Sequence, residues 1–215
     1  MKRPRFMEEN KLTPAERGTA YHTIMQHLPL QRLASEAGEI NQSDGLGVVQ
    51  QTIEYLVGKE IVTPEQANAI DPEEISGLFR SEAGAHLLAA EEVWREMPFS
   101  YALPAAMAYQ DLDFLNHSRN ESLNWQSLQD ETVLIQGVVD CLFRLNGKLI
   151  LLDYKTDRVM EHRGGIAALV DQYRFQLDLY AKALEDILGE PIEEKWLYFF
   201  DGGHAVQVEG QGGDV

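Results

Sequence analysis

Two carboxylates and an amine lie on neighbouring apolar runs: Asp140 in GVVDCLF, and Asp153 and Lys155 in LLDYKTD. Asn146-Gly147 stands between the runs. That dipeptide is a strong hairpin signal, because both central positions of a type I′ turn need φ > 0. A two-residue loop sets Leu145 against Lys148, and counting outward places Asp140 opposite Asp153. Facing residues have Cβ atoms about 4.5–5.5 Å apart. Two carboxylates at that spacing among Val, Ile, Leu and Phe repel one another, and their charges are costly to bury. A cation relieves the repulsion, and oxygen ligands suit Mg²⁺ or Mn²⁺. Strand alternation puts Lys155 on the face of Asp153. One face of one hairpin then carries two acids and an amine, a set able to hold a metal and a water. A lone D-x-K also has an ordinary explanation: an Asp that forms a turn and a Lys that guards a strand edge. Against it stand two features. Both strands are apolar on both faces, which indicates an interior place in the sheet, and the two Asp coincide in the register.

The composition bounds what can surround such a site. The chain has 215 residues, 44% hydrophobic and 25% charged, the mix of an ordinary globular domain. No apolar run approaches the roughly 18–20 residues of a membrane span. MKRPRFMEEN lacks the apolar core of a signal peptide, so a cytoplasmic location is expected. The single cysteine, Cys141, excludes an intrachain disulfide and a four-cysteine cluster. A net charge of −17 argues against a freestanding nucleic-acid binder, whose backbone affinity comes from clustered Lys and Arg. If the chain acts on DNA, something else must deliver the strand.

The remaining elements are read in order. Residues 1–10 read as an extended lead-in. Thr13-Pro14-Ala15-Glu16 supplies a cap, a proline at the first helical position and an acid three residues after the cap. The helix it opens stops before Pro29, with Tyr21, Met25 and Leu28 as its apolar stripe. His22 sits beside that stripe; a lone helical His is more often a surface or core residue than a ligand, and the hairpin alone does not change that. Residues 30–90 read as a helical insertion or cap. Val48, Ile53, Leu56 and Val57 form one amphipathic face. Thr63-Pro64-Glu65-Gln66 and Asp71-Pro72-Glu73-Glu74 repeat the helix-start signal, and a further helix begins near Ala83. VWREMPFSYALPA alternates and holds Pro98 and Pro104, which predicts a bent or edge strand. Residues 110–130 read as a polar loop and 210–215 as a disordered tail or end. His162-Arg163-Gly164-Gly165 is a flexible turn. After it, Ile166, Leu169, Val170, Tyr173, Leu177, Tyr180, Leu184 and Ile187 recur at helical spacing. Gln176 and Tyr180, four apart, share a face of that helix. Asp201-Gly202-Gly203 joins two last strands.

Taken in order, GTAYHTIMQHL, GVVDCLF, LLDYKTD and QLDLYAKAL resemble the RecB-type branch of the PD-(D/E)xK nucleases. Together with PRFMEENKLTPAERGTAYH and REMPFSYALPA they resemble, more narrowly, the C-terminal nuclease domain of the AddA (RexA) type, found in ATP-dependent helicase–nucleases. The resemblance covers nearly the whole chain. The D-x-K is unspecific by itself; the ordered set of His, Asp, D-x-K and Q-x-x-x-Y is specific. The resemblance implies an α/β fold with a restriction-endonuclease-like core, a central mixed sheet flanked by helices, and a single domain over 1–215. It implies Mg²⁺-dependent exonuclease action on DNA in double-strand-break repair and recombination, with Mn²⁺ as a substitute metal. His22, Asp140 and Asp153 would ligate the metal with the Tyr154 backbone carbonyl. Lys155 would orient or activate the attacking water, and Gln176 and Tyr180 would support the site and touch the DNA backbone. A helicase motor would feed the strand, beside an AddB-like partner. Asp153 stands where many members of the superfamily carry Glu, but AddA-type domains carry Asp there. The sequence holds no G-x-x-x-x-G-K-[ST] for ATP hydrolysis and no cysteine set for an iron–sulfur cluster. Two alternatives are a standalone Cas4-like exonuclease, against which the charge argues, and a non-catalytic acidic docking domain with a nuclease fold. The intact set His22, Asp140, Asp153 and Lys155 argues against the second.

Overall fold

The computed structural model describes residues 12–37, 43–104 and 131–209. The expectations for 1–10, 110–130 and 210–215 lie outside them. Among the described residues six helices come first: α1 (Pro14–His27), α2 (Leu30–Ala37), α3 (Ser43–Gly58), α4 (Pro64–Asn68), α5 (Pro72–Leu78) and α6 (Glu82–Leu88). Strands β1 (Glu92–Pro104), β2 (Thr132–Leu145) and β3 (Lys148–Lys155) follow. A long helix α7 (Gly165–Leu188) then leads to β4 (Ile192–Phe199) and β5 (His204–Gln207). The strands form one sheet in the order β1-β2-β3-β4-β5. Among the described strands only β3 and β4 run parallel, joined across α7. The fold is α/β with a mixed sheet. No helix among the described residues is long and apolar enough to cross a membrane.

Local signals account for the helix starts. Thr13 and Thr63 each form a capping box, with Glu16 and Gln66, and a proline opens each helix. Asp71 caps α5 through Glu73 N–H. Tyr21, Met25 and Leu28 are fully buried. On α7, Ile187 departs from the expected stripe and is half exposed, because it lies in the last turn, beyond the cover of the sheet.

The sheet separates two apolar clusters. On one side Ile150, Leu152 and Tyr154 of β3 meet α1, α2, α3, α5 and α6. On the other Leu149 and Leu151 meet α7. Covered on both faces, β3 is buried from Leu149 to Tyr154, as its continuous apolar run requires. Strand β2 is the longer, and among the described strands its outer half pairs with β1 alone. Val133, Leu134 and Val138 are therefore exposed.

The turn at Asn146-Gly147 has φ of 52° and 78°. The register it sets runs from Leu145↔Lys148 to Cys141↔Leu152. The ladder stops there, one pair short of Asp140 and Asp153.

The β1–β2 pair carries an irregularity at that same level. Arg95 pairs with Cys141 and Met97 with Val139, so the residue count is even across the gap. The facing is not. Val93, Cys141 and Phe143 pack on the six-helix side, whereas Met97, Phe99, Tyr101, Val139 and Ile135 pack on the α7 side. One residue in each strand, Glu96 and Asp140, steps out of the alternation, and both strands change faces together. Glu96 makes the step with φ of 51°, a left-handed conformation that costs a side-chain-bearing residue about 1–2 kcal/mol.

Beyond the step, α7 lies against the β1–β2 ribbon through Tyr180, edge-on to Phe99 with ring centroids 4.9 Å apart. Gly137 makes that approach possible, since a Cβ there would sit 2.5 Å from the Tyr180 hydroxyl and 2.8 Å from the Phe99 ring. Gly137→Ala is expected to destabilise the protein by about 1–3 kcal/mol through overpacking, read as a lower urea midpoint at constant m-value. An unchanged midpoint would show that α7 does not press on the ribbon there.

Candidate active site

Helix α1 brings His22 to the point where β1 and β2 change faces. Its Nδ1 lies 3.2 Å from Glu96 Oε1 and 3.2 Å from Asp140 Oδ1. The ligand atoms of His22, Glu96 and Asp140 all lie within 4.8 Å of one another. The helix is held there by the residue next to Glu96. Arg95 Nη1 donates to the carbonyls of Met25 and Leu28, each at 2.8 Å, at the C-terminal end of α1. A cleft of about 430 Å³ opens over the cluster, lined by Gly18, His22, Glu96, Val138 and Asp140 among others.

Asp140 is held from the other side. With the ladder ended, its Oδ2 accepts the Tyr154 N–H at 2.7 Å, so a carboxylate occupies the place of the next backbone rung. Asp153 is buried, at 6% exposure. Lys155 Nζ lies 2.7 Å from its Oδ2, a buried ion pair. Lys155 also donates to Gln176 Oε1 at 3.2 Å and lies 4.2 Å from the centre of the Tyr173 ring. Tyr173 in turn donates to Asp157.

The structure therefore brings His22 and Asp140 together with Glu96, and sets Asp153, Lys155 and Gln176 beside them as a second group; among the described residues Asp153 is not within the 4.8 Å that joins the ligand atoms of the first. Tyr180 is one turn further along α7, over Gly137, without a hydrogen bond to the cluster. The Tyr154 side chain lies in the six-helix core, with its backbone N–H on Asp140. Glu96 is the member of the cluster that the residue order does not single out. Its only local signal is an acid two residues before Pro98 in an edge strand. Its partner Asp140 lies across a pairing whose register no short turn sets.

Electrostatics describe a cluster poised for a cation. Burial opposes charging of His22, but Asp140 and Glu96 outweigh it and push its pKa up to about 10. Burial, then the charge of Asp140, raises Asp153, and Lys155 only partly offsets them. Cys141 is fully buried, which pushes its thiol up to about 12 and removes it as a nucleophile. A divalent metal fits this donor set. The observation that decides the fit is the crowding of the Glu96 and Asp140 carboxylates, each 3.2 Å from one imidazole, with the buried Asp153–Lys155 pair beside them. One nitrogen among carboxylate oxygens suits Mn²⁺ as well as Mg²⁺.

Residues 2–209 match the PD-(D/E)XK nuclease superfamily. The chain belongs to that superfamily. It is similar to the A subunit of the ATP-dependent helicase/nuclease of Desulforamulus reducens, 43% identical over 207 residues, and to that of Bacillus cereus, 42% identical over 212 residues. Each match takes in 96% of this chain, but 14% and 15% of those proteins. The chain thus spans about one seventh of the length of the curated relatives it matches. For a nuclease of this superfamily, a divalent metal at the acidic cluster is the general expectation that the donor set already met.

Two measurements test the cluster. In the metal-free protein both shifts are upward, so the folded state holds these protons more tightly than the unfolded one. The His22 contribution to stability is complete below about pH 6.5 and lost as pH rises through about 10. A metal ligated by His22 must displace that proton. Calorimetry with Mn²⁺ near pH 7, in two buffers of different ionisation heat, should report release of about one proton per ion, with affinity rising as pH rises. Release of none would remove His22 from the ligand set. Separately, Mn²⁺ should raise the melting temperature, and Asp140→Ala should abolish the rise; a shift that survives the substitution would place the ion elsewhere.

Proposed function

We propose that the chain is the metal-dependent DNA nuclease segment of an ATP-dependent helicase–nuclease of the AddA type, working in double-strand-break repair beside an AddB-like partner. The observation that carries this reading is the convergence of His22, Glu96 and Asp140 next to the Asp153–Lys155 pair. Similarity to two helicase/nuclease proteins over 96% of the chain supports it. The intact cluster argues against a docking role without catalysis. We read 1–215 as one nuclease domain, with the helices of about 30–90 inserted in it.

In this reading His22, Glu96, Asp140 and Asp153 hold the metal, with the Tyr154 carbonyl as a further ligand. When bound, a divalent ion such as Mg²⁺ polarises the scissile phosphate and lowers the pKa of the attacking water. Lys155 orients that water and offsets negative charge growing at the phosphate. Gln176 keeps the Lys155 ammonium in place through their hydrogen bond, 3.2 Å long. Tyr180 supports the site through α7 and reaches toward the DNA backbone. Asp140 has a double duty, since its second oxygen fixes the β3 backbone within the D-x-K through Tyr154 N–H.

The decisive experiment is digestion of end-labelled single- and double-stranded DNA with Mg²⁺ or Mn²⁺. Lys155→Ala should remove cleavage and leave metal binding nearly intact, because an ammonium is no ligand. Near-normal cleavage by that variant would sink the role given to Lys155.

Delivery follows from charge. With 35 acids against 18 bases, the chain by itself supplies little counterion release on DNA. Its own cleavage should be slow, because few phosphate contacts hold the strand. Attachment to a strand-gripping motor should raise the effective DNA concentration toward the millimolar range of short tethers, and cleavage with it. Tight binding with the steep salt dependence of many phosphate contacts by the 215-residue chain would instead favour a standalone exonuclease.

A further inference from the structure

A second and larger cavity adjoins the cluster. It holds about 1020 Å³ between the start of α1 and the start of α7. Arg17, Thr156, Arg158, Arg163 and Leu169 are among its lining residues. Arg17 is committed, to Glu74 at 3.0 Å and to the Tyr21 hydroxyl at 3.1 Å. Arg158 and Arg163 are not: both are exposed, and neither guanidinium has a protein partner among the described residues. That is unexpected in a chain with 35 acids and 18 bases, where an exposed guanidinium has many carboxylates to choose from.

The groove joins the catalytic cleft. Gly18 lines the cleft, while its neighbour Arg17 and the residue after Lys155, Thr156, line the groove. The two walls meet there, since a Cβ on Gly18 would lie 3.4 Å from Thr156 Oγ1. A chain lying in the groove would reach Lys155 within one residue of the wall. The lining also includes Met160, Ala168 and Leu169, so apolar surface lies beside the guanidinium groups; two acids, Glu65 and Asp157, share it, and Asp157 accepts from the Tyr173 hydroxyl. A duplex offers phosphates and hides its base faces. A single strand offers both, and grooves for single strands combine cationic side chains with surfaces for bases.

We propose that this groove binds the single polynucleotide strand on its way through the cleft, with Arg158 and Arg163 on consecutive phosphates and bases over Leu169 and Met160. The proposal rests on the nuclease reading above and adds to it the path of the substrate and the residues that hold it.

The test is the double variant Arg158→Ala/Arg163→Ala in the 215-residue chain, with the Gln/Gln pair as a second version. Binding of a fluorescent oligothymidylate is followed by anisotropy without divalent metal over a titration of monovalent salt. Two lost phosphate contacts should flatten the dependence of log Kd on log salt by about 1.4, at roughly 0.7 per contact for a single strand, and weaken binding at low salt on the order of tenfold. A charge-matched control, Arg32→Ala/Lys59→Ala, removes two exposed cations outside the groove and should leave the slope unchanged. A short hairpin duplex should bind the groove variant and the unmutated chain alike. An unchanged slope in both groove variants, an equal loss in the control, an equal loss on the duplex, or no oligonucleotide binding by the unmutated chain would each overturn the proposal. The nuclease reading stands or falls separately, on the Mn²⁺ melting shift and cleavage by the unmutated chain.

Discussion

Crowding of carboxylates around one imidazole is the constraint on which the rest depends. Glu96 and Asp140 flank His22 at 3.2 Å each, and Asp153 lies buried beside Lys155. Without a cation the cluster is held by a proton on His22 and by the Lys155 ammonium. Such an arrangement persists only if the surrounding structure over-determines it. It does so on three sides. Helix α1 is packed through Tyr21, Ile24 and Met25 and tied at its end by Arg95. Strand β3 is buried on both faces. Helix α7 carries Gln176 to Lys155 and is seated on the ribbon by Tyr180 over Gly137.

The paired step at Glu96 and Asp140 is the geometric device. A regular antiparallel pair would send the side chains of one face all to the six-helix side or all to α7. By stepping both strands at once, the sheet keeps its pairing count and changes faces. The inner half of the β1–β2 ribbon can then serve the α1 core and the outer half the α7 core. The two stepping residues leave the alternation and present carboxylates to His22. The left-handed φ of Glu96 is the local cost, of order 1–2 kcal/mol, and it falls where the chemistry is placed.

The charge distribution has a similar division. Acids dominate the chain, and the arginines with structural tasks, Arg17, Arg95 and Arg144, are bound to carboxylates or carbonyls. The two groove arginines stand apart from that pattern.

Much of this was legible in the residue order. Capping boxes announced α1 and α4, because cap, proline and acid or amide act within one turn. Asn146-Gly147 determined the β2–β3 register, because a two-residue loop leaves no freedom in the count. The apolar run of β3 marked a strand covered on both faces, and the D-x-K on it marked the chemistry. Three things were decided only by the tertiary structure. Glu96 joined the cluster because β1 pairs with β2 through a connection too long to set a register from the sequence. Asp140 left the ladder and turned to Tyr154 N–H and His22, since both strands step out of alternation where two cores compete for their faces. Arg158 and Arg163 came to line one groove with Arg17 because α1 and the start of α7, far apart in the chain, close on the same end of β3. Short-range signals fix elements and tight turns; which distant side chains meet is set by packing across the sheet.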